Sequence, residues 1–405
     1  FPREIQDSEK TFATLLLIDR PDAVGIFIDR GICDAALPLT TGSLEDLVGP
    51  QSKAWTIQPS IGFEEMQWKA LSPVFHVAHG RHTIPHYKFR DKDILPFTHQ
   101  EHFCSGAHGQ VFRVKLHPNH HNFDCISKPG LQTKYFAVKR LHKRGEFLEE
   151  RGMLKRINHP HAIALLATYE YCNHFHFILP WAECNLAEYW ETKNPNPEHD
   201  LSTLMWMAEQ CRGIADGLSP LHHHATNTSS SLFRGPSVVL GPTAPDDHDT
   251  QSTDVDPHQF FGRHGDIKPL NLLWFPQSRD SREMRIIKIS GFGEGEFNKT
   301  ELTRRSPNSI AYTPTYRPPE CDHPDLEIQV SATYDTWPLG CLYLEFVTWF
   351  VGGWEKVHEF ERSRRGGGWS HREATFFELT GDLEPYAVVK SAVKQVCRHD
   401  LQTVA

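Results

Sequence analysis

Apolar residues along the chain fall into short runs whose spacing changes from helical to strand-like. Residues 12–18 and 64–68 are compact helical patches, set off by turn signals at Arg20-Pro21-Asp22, Thr41-Gly42-Ser43 and Gly49-Pro50. From about residue 93 the texture turns to strands. Val111, Val114 and Leu116 mark one, 135–138 a second and 175–179 a third, with a loop rich in proline and histidine at 117–133. Residues 146–157 read as a helix, because Phe147, Glu150, Leu154 and Ile157 recur three or four positions apart on one face. Residues 204–221 repeat the pattern with Met205, Ala208, Ile214 and Leu218. The strongest apolar run, 339–351, is interrupted by Glu345 and is too short to span a bilayer, so a buried helix is expected. A last helix-like run holds Val388, Val389, Ala392, Val393 and Val396.

One segment breaks this texture. Residues 225–260 are rich in Ser, Thr, Pro and Asp, carry Arg234 as their one basic residue, and read as an acidic disordered insertion. At 405 residues the chain is long enough for two or three domains of roughly 150 residues each. Its formal charge of −9 argues against a phosphate-tracking nucleic-acid binder, which needs a basic excess. The cysteines are scattered without Cys-x-x-Cys spacing, which suits reduced thiols. With no basic, apolar and small-residue leader, a soluble cytoplasmic protein with no membrane association is expected. The chain starts at Phe1, as a fragment or a processed product would. Two histidine clusters, His117/His120/His121 and His222/His223/His224, invite a zinc reading, but neither has a fixed i,i+4 pair with a carboxylate, and a solvated loop is preferred.

Three motifs carry chemistry. Cys104-Ser105-Gly106-Ala107-His108-Gly109-Gln110-Val111 suits a glycine hairpin whose backbone N–H groups approach phosphate oxygens, although an ordinary hairpin would look the same. Ala137-Val138-Lys139 ends a strand about 30 residues on. A lysine there can meet nucleotide phosphates if a helix carboxylate holds it, and Glu150 is the natural partner, ahead of Glu146. An exposed strand lysine is the plain alternative. The third motif is His264-Gly265-Asp266-Ile267-Lys268-Pro269-Leu270-Asn271, with Leu272-Leu273-Trp274 behind it. An Asp that accepts a hydroxyl proton, a Lys two residues on and an Asn five on match a phosphotransferase loop.

Together these motifs make the chain resemble a eukaryotic protein kinase, nearest to the protein-kinase-like proteins of filamentous fungi, over about residues 93–396. Further matches are Thr313-Pro314-Thr315-Tyr316-Arg317-Pro318-Pro319-Glu320 at the end of an activation segment and Tyr334-Asp335-Thr336-Trp337-Pro338-Leu339-Gly340 at the start of the central helix. Leu179-Pro180-Trp181-Ala182 matches the hinge that meets adenine. The resemblance implies an α+β, bilobal fold: a helical extension at 1–92, a small β-rich N-lobe with one helix at 93–181, and a larger, mainly α C-lobe at 182–405 with a short C-terminus. It implies ATP and Mg²⁺ as cofactors and transfer of the γ-phosphoryl to Ser/Thr hydroxyls of a protein substrate. Asp266, Lys268, Lys139 and Glu150 take the catalytic places. Gly106, Gly109, Val111, Ala137, Lys139, Leu179, Trp181 and Leu273 meet the nucleotide, Asn271 holds the metal, and Asp335 braces the catalytic loop.

Two departures from the pattern bear on activity. Gly291, in Ile289-Ser290-Gly291-Phe292-Gly293, stands where the family has a metal-holding Asp. Losing that ligand would weaken transition-state stabilisation by about a thousandfold in rate, unless Glu294 or Glu296 substitutes. Gly265 replaces the Arg ahead of the catalytic Asp, which removes a clamp for a phosphorylated loop. The alternative to a kinase is therefore a pseudokinase, a nucleotide-binding or interaction scaffold for a signalling partner. The sequence leaves its oligomeric state open.

Overall fold

The computed structural model describes residues 7–48, 55–76, 84–106, 109–123, 135–222, 224–225, 259–276, 285–298, 303–305, 313–322, 328–330, 332–365, 374–381 and 386–404. The chain is a mixed α+β protein that divides into two compact units, residues 1–143 with 165–181, and 144–164 with 182–405. Among the described residues, no helix is long and apolar enough to cross a membrane.

The first unit opens with four helices, α1 (Glu9–Leu17), α2 (Val24–Asp29), α3 (Thr41–Val48) and α4 (Ile57–Ala70). Leu15, Phe27, Leu44, Trp55 and Phe63 close a core between them. Asp34 caps α1 from a distance, accepting from the backbone N–H groups of Lys10 (3.0 Å) and Thr11 (2.8 Å), where the positive end of the helix favours a carboxylate. The buried Gln67 amide bonds both the N–H and the carbonyl of Leu39, at 2.7 and 2.6 Å, and so ties α4 to the loop before α3.

A six-stranded sheet follows, in the order β1-β5-β6-β4-β3-β2. Its strands are β1 (His86–Lys88), β2 (Phe97–Gly106), β3 (Gly109–Leu116), β4 (Phe136–Leu141), β5 (Ala167–Tyr171) and β6 (His174–Pro180). β1 runs parallel to β5, and the other pairings are antiparallel. Side chains alternate between the two faces. One face turns Val114, Phe136, Val138 and Ile178 into a core covered by Phe75, Phe123 and Tyr169. The sheet therefore takes in His86–Lys88, and its core takes in Phe75, both ahead of residue 93, where strand texture first shows in the sequence. Of the expected loop at 117–133, residues 117–123 are described: Phe75 bridges His121, and a single turn spans Pro118–His120. His120 donates from Nδ1 to the Pro73 carbonyl at 2.9 Å.

The second unit contains α5 (Arg144–Arg156), which buries Phe147, Glu150, Met153 and Leu154 at the spacing the sequence shows. The strand β7 (Cys184–Asn185) leads through a turn at Leu186–Lys193 to α6 (Leu201–His222). β8 (His224–Ala225) and β9 (Gln259–Arg263) pair with each other, so the two ends of the expected insertion are strand, while residues 226–258 lie outside the described ones. β10 (Leu272–Phe275) and β11 (Ile286–Ile289) join β7 in a second sheet, and β12 (Glu296–Asn298) pairs with β9. Two-stranded antiparallel pairs follow: β13 (Thr303–Arg305) with β14 (Ile328–Val330), then β15 (Phe377–Thr380) with β16 (Tyr386–Val389). Between them runs α7 (Thr336–Arg364), kinked at Gly353, whose φ of 70° is left-handed and where a Cβ would strike the Pro195 carbonyl. The chain closes with α8 (Ser391–Val404).

The last apolar run is split, contrary to the single helix expected. Val388 and Val389 belong to β16, where β-branched residues pair with β15, and only Val393 and Val396 are buried on α8. A further contact that the pattern does not announce lies on α6. The His161 ring occupies the groove over Gly213, inside van der Waals distance of any Cβ there, and donates from Nδ1 to the Ile287 carbonyl at 2.9 Å.

Candidate active site

The loop after β9 is shaped by one buried carboxylate. Asp335, at the start of α7 and fully buried, accepts from the backbone N–H groups of His264 (2.7 Å) and Gly265 (2.8 Å) and from His222 Nε2 (2.9 Å). Burial alone would raise its carboxyl, but His222, His264 and the loop N–H groups outweigh it and hold it below the usual range. His264 is buried too. Its Nε2 donates to the Ser290 carbonyl (2.9 Å) while its Nδ1 accepts from the Asp266 N–H (3.2 Å), so the ring is the neutral Nε2–H tautomer, and burial lowers its pKa. The turn Pro269–Asn271 then leads into β10.

On this scaffold Asp266, Lys268 and Asn271 meet, as their spacing implies, and a fourth residue joins them. Lys268 Nζ lies 2.7 Å from Asp266 Oδ2, and the Asn271 amide donates to the same oxygen at 2.7 Å and to the Asp266 carbonyl at 2.7 Å. Thr313 donates its hydroxyl to Asp266 Oδ1 at 2.6 Å and accepts from Lys268 Nζ at 2.6 Å. Burial would push Asp266 up, but the bonds from Lys268, Thr313 and Asn271 hold it below the ordinary carboxylate range, as an ionised carboxylate. Neither Thr313 nor His222 stands out in the sequence as a member of this cluster. Thr313 lies 47 positions from Asp266, and its only signal is its place at the head of the segment that resembles the end of an activation loop.

The two glycines that depart from the family pattern are filled around. Gly291 has φ +82°, and a Cβ there would stand 2.7 to 2.8 Å from the Asn271 amide atoms. Gly265 also has φ +82°, and a Cβ there would stand 2.5 Å from Nη1 of Arg263, whose guanidinium packs 4.9 Å over the Tyr334 ring. The buried Arg263 thus takes the space that a side chain at 265 would need.

These contacts bear on Mg²⁺, a hard cation that needs near-octahedral oxygen ligands. Asp266 already has each oxygen bonded, Asn271 spends its amide nitrogen on Asp266, and Gly291 has no side-chain oxygen. Among the described residues, no group of three or more His, Cys, Asp or Glu side chains could hold a metal ion. These residues therefore supply no cluster of carboxylates for Mg²⁺, while Asn271, the expected metal residue, has its amide oxygen outside these bonds.

In the first unit, Gly106 and Gly109 pair across the end of the β2–β3 hairpin, while residues 107–108 lie outside the described ones. Gly109 has φ +123°, and a Cβ would strike the Arg140 carbonyl, so the close approach of β4 demands glycine here whatever binds. The register sets Val111 opposite Lys139 and Ala137 opposite Leu179. Alternation then puts Val111, Ala137, Lys139 and Leu179 on one face, opposite the aromatic core. Trp181 meets the Phe103 ring edge-on at 4.9 Å beside Arg113, which lies 3.8 Å over Tyr135 and bonds Glu101 at 3.1 Å. Of the remaining predicted residues, Glu150 stands buried on α5 and Leu273 half-buried on β10, both in the second unit. Compared with known proteins, the chain matches no protein-family model and no curated sequence.

Proposed function

We propose that the chain is a protein-kinase-like phosphotransferase that uses ATP to modify Ser/Thr hydroxyls of a protein partner. The observation that carries this reading is the Thr313 hydroxyl, seated 2.6 Å from both the Asp266 carboxylate and the Lys268 ammonium. A carboxylate that can take an alcohol proton, with a cation against the same oxygen, is the arrangement a substrate hydroxyl requires to become a nucleophile. The nucleotide side is supported by the shared sheet face of Val111, Ala137, Lys139 and Leu179, which offers apolar surface for a base and a cation for phosphate. No step is assigned to Mg²⁺. The cytoplasm, where thiols stay reduced, is the compartment this reading favours.

Incubation with Mg-ATP and a generic Ser/Thr protein substrate should label the substrate, and Asp266→Asn should lower labelling by about a hundredfold or more. Equal labelling by the variant would overturn the proposal. One observation favours a second reading, a pseudokinase that binds nucleotide or a protein partner without turnover: the Asn271 amide fills the space beside Gly291 where a metal-holding side chain would stand. That reading expects a thermal shift with ATP, little added by Mg²⁺, and no labelling that depends on Asp266.

A further inference from the structure

Arg364, at the end of α7, has no exposed surface. Its Nη2 donates to Glu345 Oε1 at 2.8 Å, its Nε to the Ala374 carbonyl at 3.2 Å, and its guanidinium lies 4.1 Å from the Phe360 ring and 3.9 Å from the Phe376 ring. Lys390 donates to the Arg364 carbonyl at 2.6 Å. The other oxygen of Glu345 accepts from the Tyr316 hydroxyl at 2.8 Å, and the Tyr316 ring packs 6.0 Å from Phe376. Tyr316 closes the turn that begins at Thr313, its N–H donating to the Thr313 carbonyl at 3.0 Å. Arg317 secures the same turn through the Pro314 carbonyl at 2.8 Å and a bidentate pair with Asp322.

An ion pair inside an apolar core is expensive to keep, and removing either member strands a buried charge. The second oxygen of Glu345 is spent on Tyr316. We propose that Arg364 and Glu345 are positioning residues for the Thr313 clasp: through Tyr316 they set the turn that holds the Thr313 hydroxyl against Asp266 and Lys268. The inference rests on the alcohol-site reading for its function but on hydrogen-bond geometry alone for the clasp. Planarity matters, since the Arg364 fork must meet Glu345 and Ala374 while packing over two rings, which a lysine ammonium does not reproduce.

The test uses the full chain and the accessibility of Lys268, whose side chain is 18% exposed. An amine-reactive ester is applied briefly, and modified lysines are quantified by mass spectrometry, with Lys288 on β11 as the internal reference for general loosening. Tyr316→Phe keeps the ring and removes only the hydroxyl, and Glu345→Gln keeps the volume and removes the charge. Both should raise Lys268 modification by at least about threefold with Lys288 unchanged, because the turn opens locally. Arg364→Lys should fail to restore the wild-type rate. If wild type turns over Mg-ATP, Tyr316→Phe should lower kcat about tenfold or more with the nucleotide KM unchanged, since only the alcohol side is displaced. Wild-type Lys268 modification in cooperatively folded Tyr316→Phe and Glu345→Gln would overturn the clasp. Absence of wild-type turnover would instead sink the phosphotransferase reading and leave the labelling comparison to decide the clasp.

Discussion

In the six-stranded sheet of the first unit, each residue meets partners set by a register that repeats every two positions. Val138 lies between Phe112 and Ile178 in the ladder because its strand neighbours do the same one step along. Around Asp266 in the second unit no such ladder runs: one carboxylate, Asp335, accepts from His264, Gly265 and His222, and another, Asp266, accepts from Lys268, Asn271 and Thr313. Damage to the sheet should therefore be incremental, whereas damage to the loop cluster should be cooperative.

Asp335→Asn tests the contrast most severely. An amide in place of the carboxylate sets an N–H against backbone N–H groups that now have a charged acceptor. Denaturant unfolding should report a loss of about 3–5 kcal/mol, and a loss no larger than that of a surface substitution would erase the distinction.

Gly291→Ala comes next, at about 1–3 kcal/mol, because the new methyl meets the Asn271 amide at a positive φ. The same measurement on Gly152→Ala supplies the counterpart. Gly152 lies inside α5 with nothing within 4 Å of its Cβ position, so that variant should gain about 0.5–1 kcal/mol. Gly291→Asp carries the same clash as alanine and would disturb the Asn271–Asp266 bond, so its effect on turnover would mix a gained carboxylate with a displaced amide.

The sheet makes a prediction of its own on acidification. His176 is buried between β4 and β5, its ring stacked on Tyr169 at 4.3 Å, and burial pushes its pKa down to about 3. The unfolded chain takes up that proton near the ordinary value of about 6.5 and the folded chain only near 3. Its contribution is thus complete above pH 6.5 and is lost progressively as pH falls toward 3, at up to about 1.4 kcal/mol per pH unit. Denaturant midpoints measured across that window should show a shallower slope in His176→Phe, and an unchanged slope would rule out His176 as a source of the acid sensitivity.

Element existence was legible wherever the apolar spacing is local. The helix read over 146–157 is Arg144–Arg156, and the strand read over 175–179 is His174–Pro180. β1 was not legible, because His86-Tyr87-Lys88 has no alternation of its own and becomes a strand only by pairing with β5 across 82 positions. Val388 and Val389 misled for the opposite reason, since a run of valines suits either a helix face or a strand until β15 supplies a partner. In the site, Asp266, Lys268 and Asn271 were legible because their spacing falls within a single turn. Thr313 was not, because a threonine followed by proline carries no local mark of its partner.

By itself, the sequence determined which chemistry is present: the Asp266, Lys268 and Asn271 trio and the glycines at 265 and 291. Short-range geometry suffices for these, since turns and strands dictate where neighbours point. Only the tertiary structure decided that His222 joins Asp335 in bracing the loop, that Thr313 closes on it, and that the Asn271 amide and Arg263 fill the space beside the two glycines. Those contacts join residues as far as 113 positions apart. They form only where packed elements deliver buried donors to buried acceptors, which must be satisfied once water is excluded.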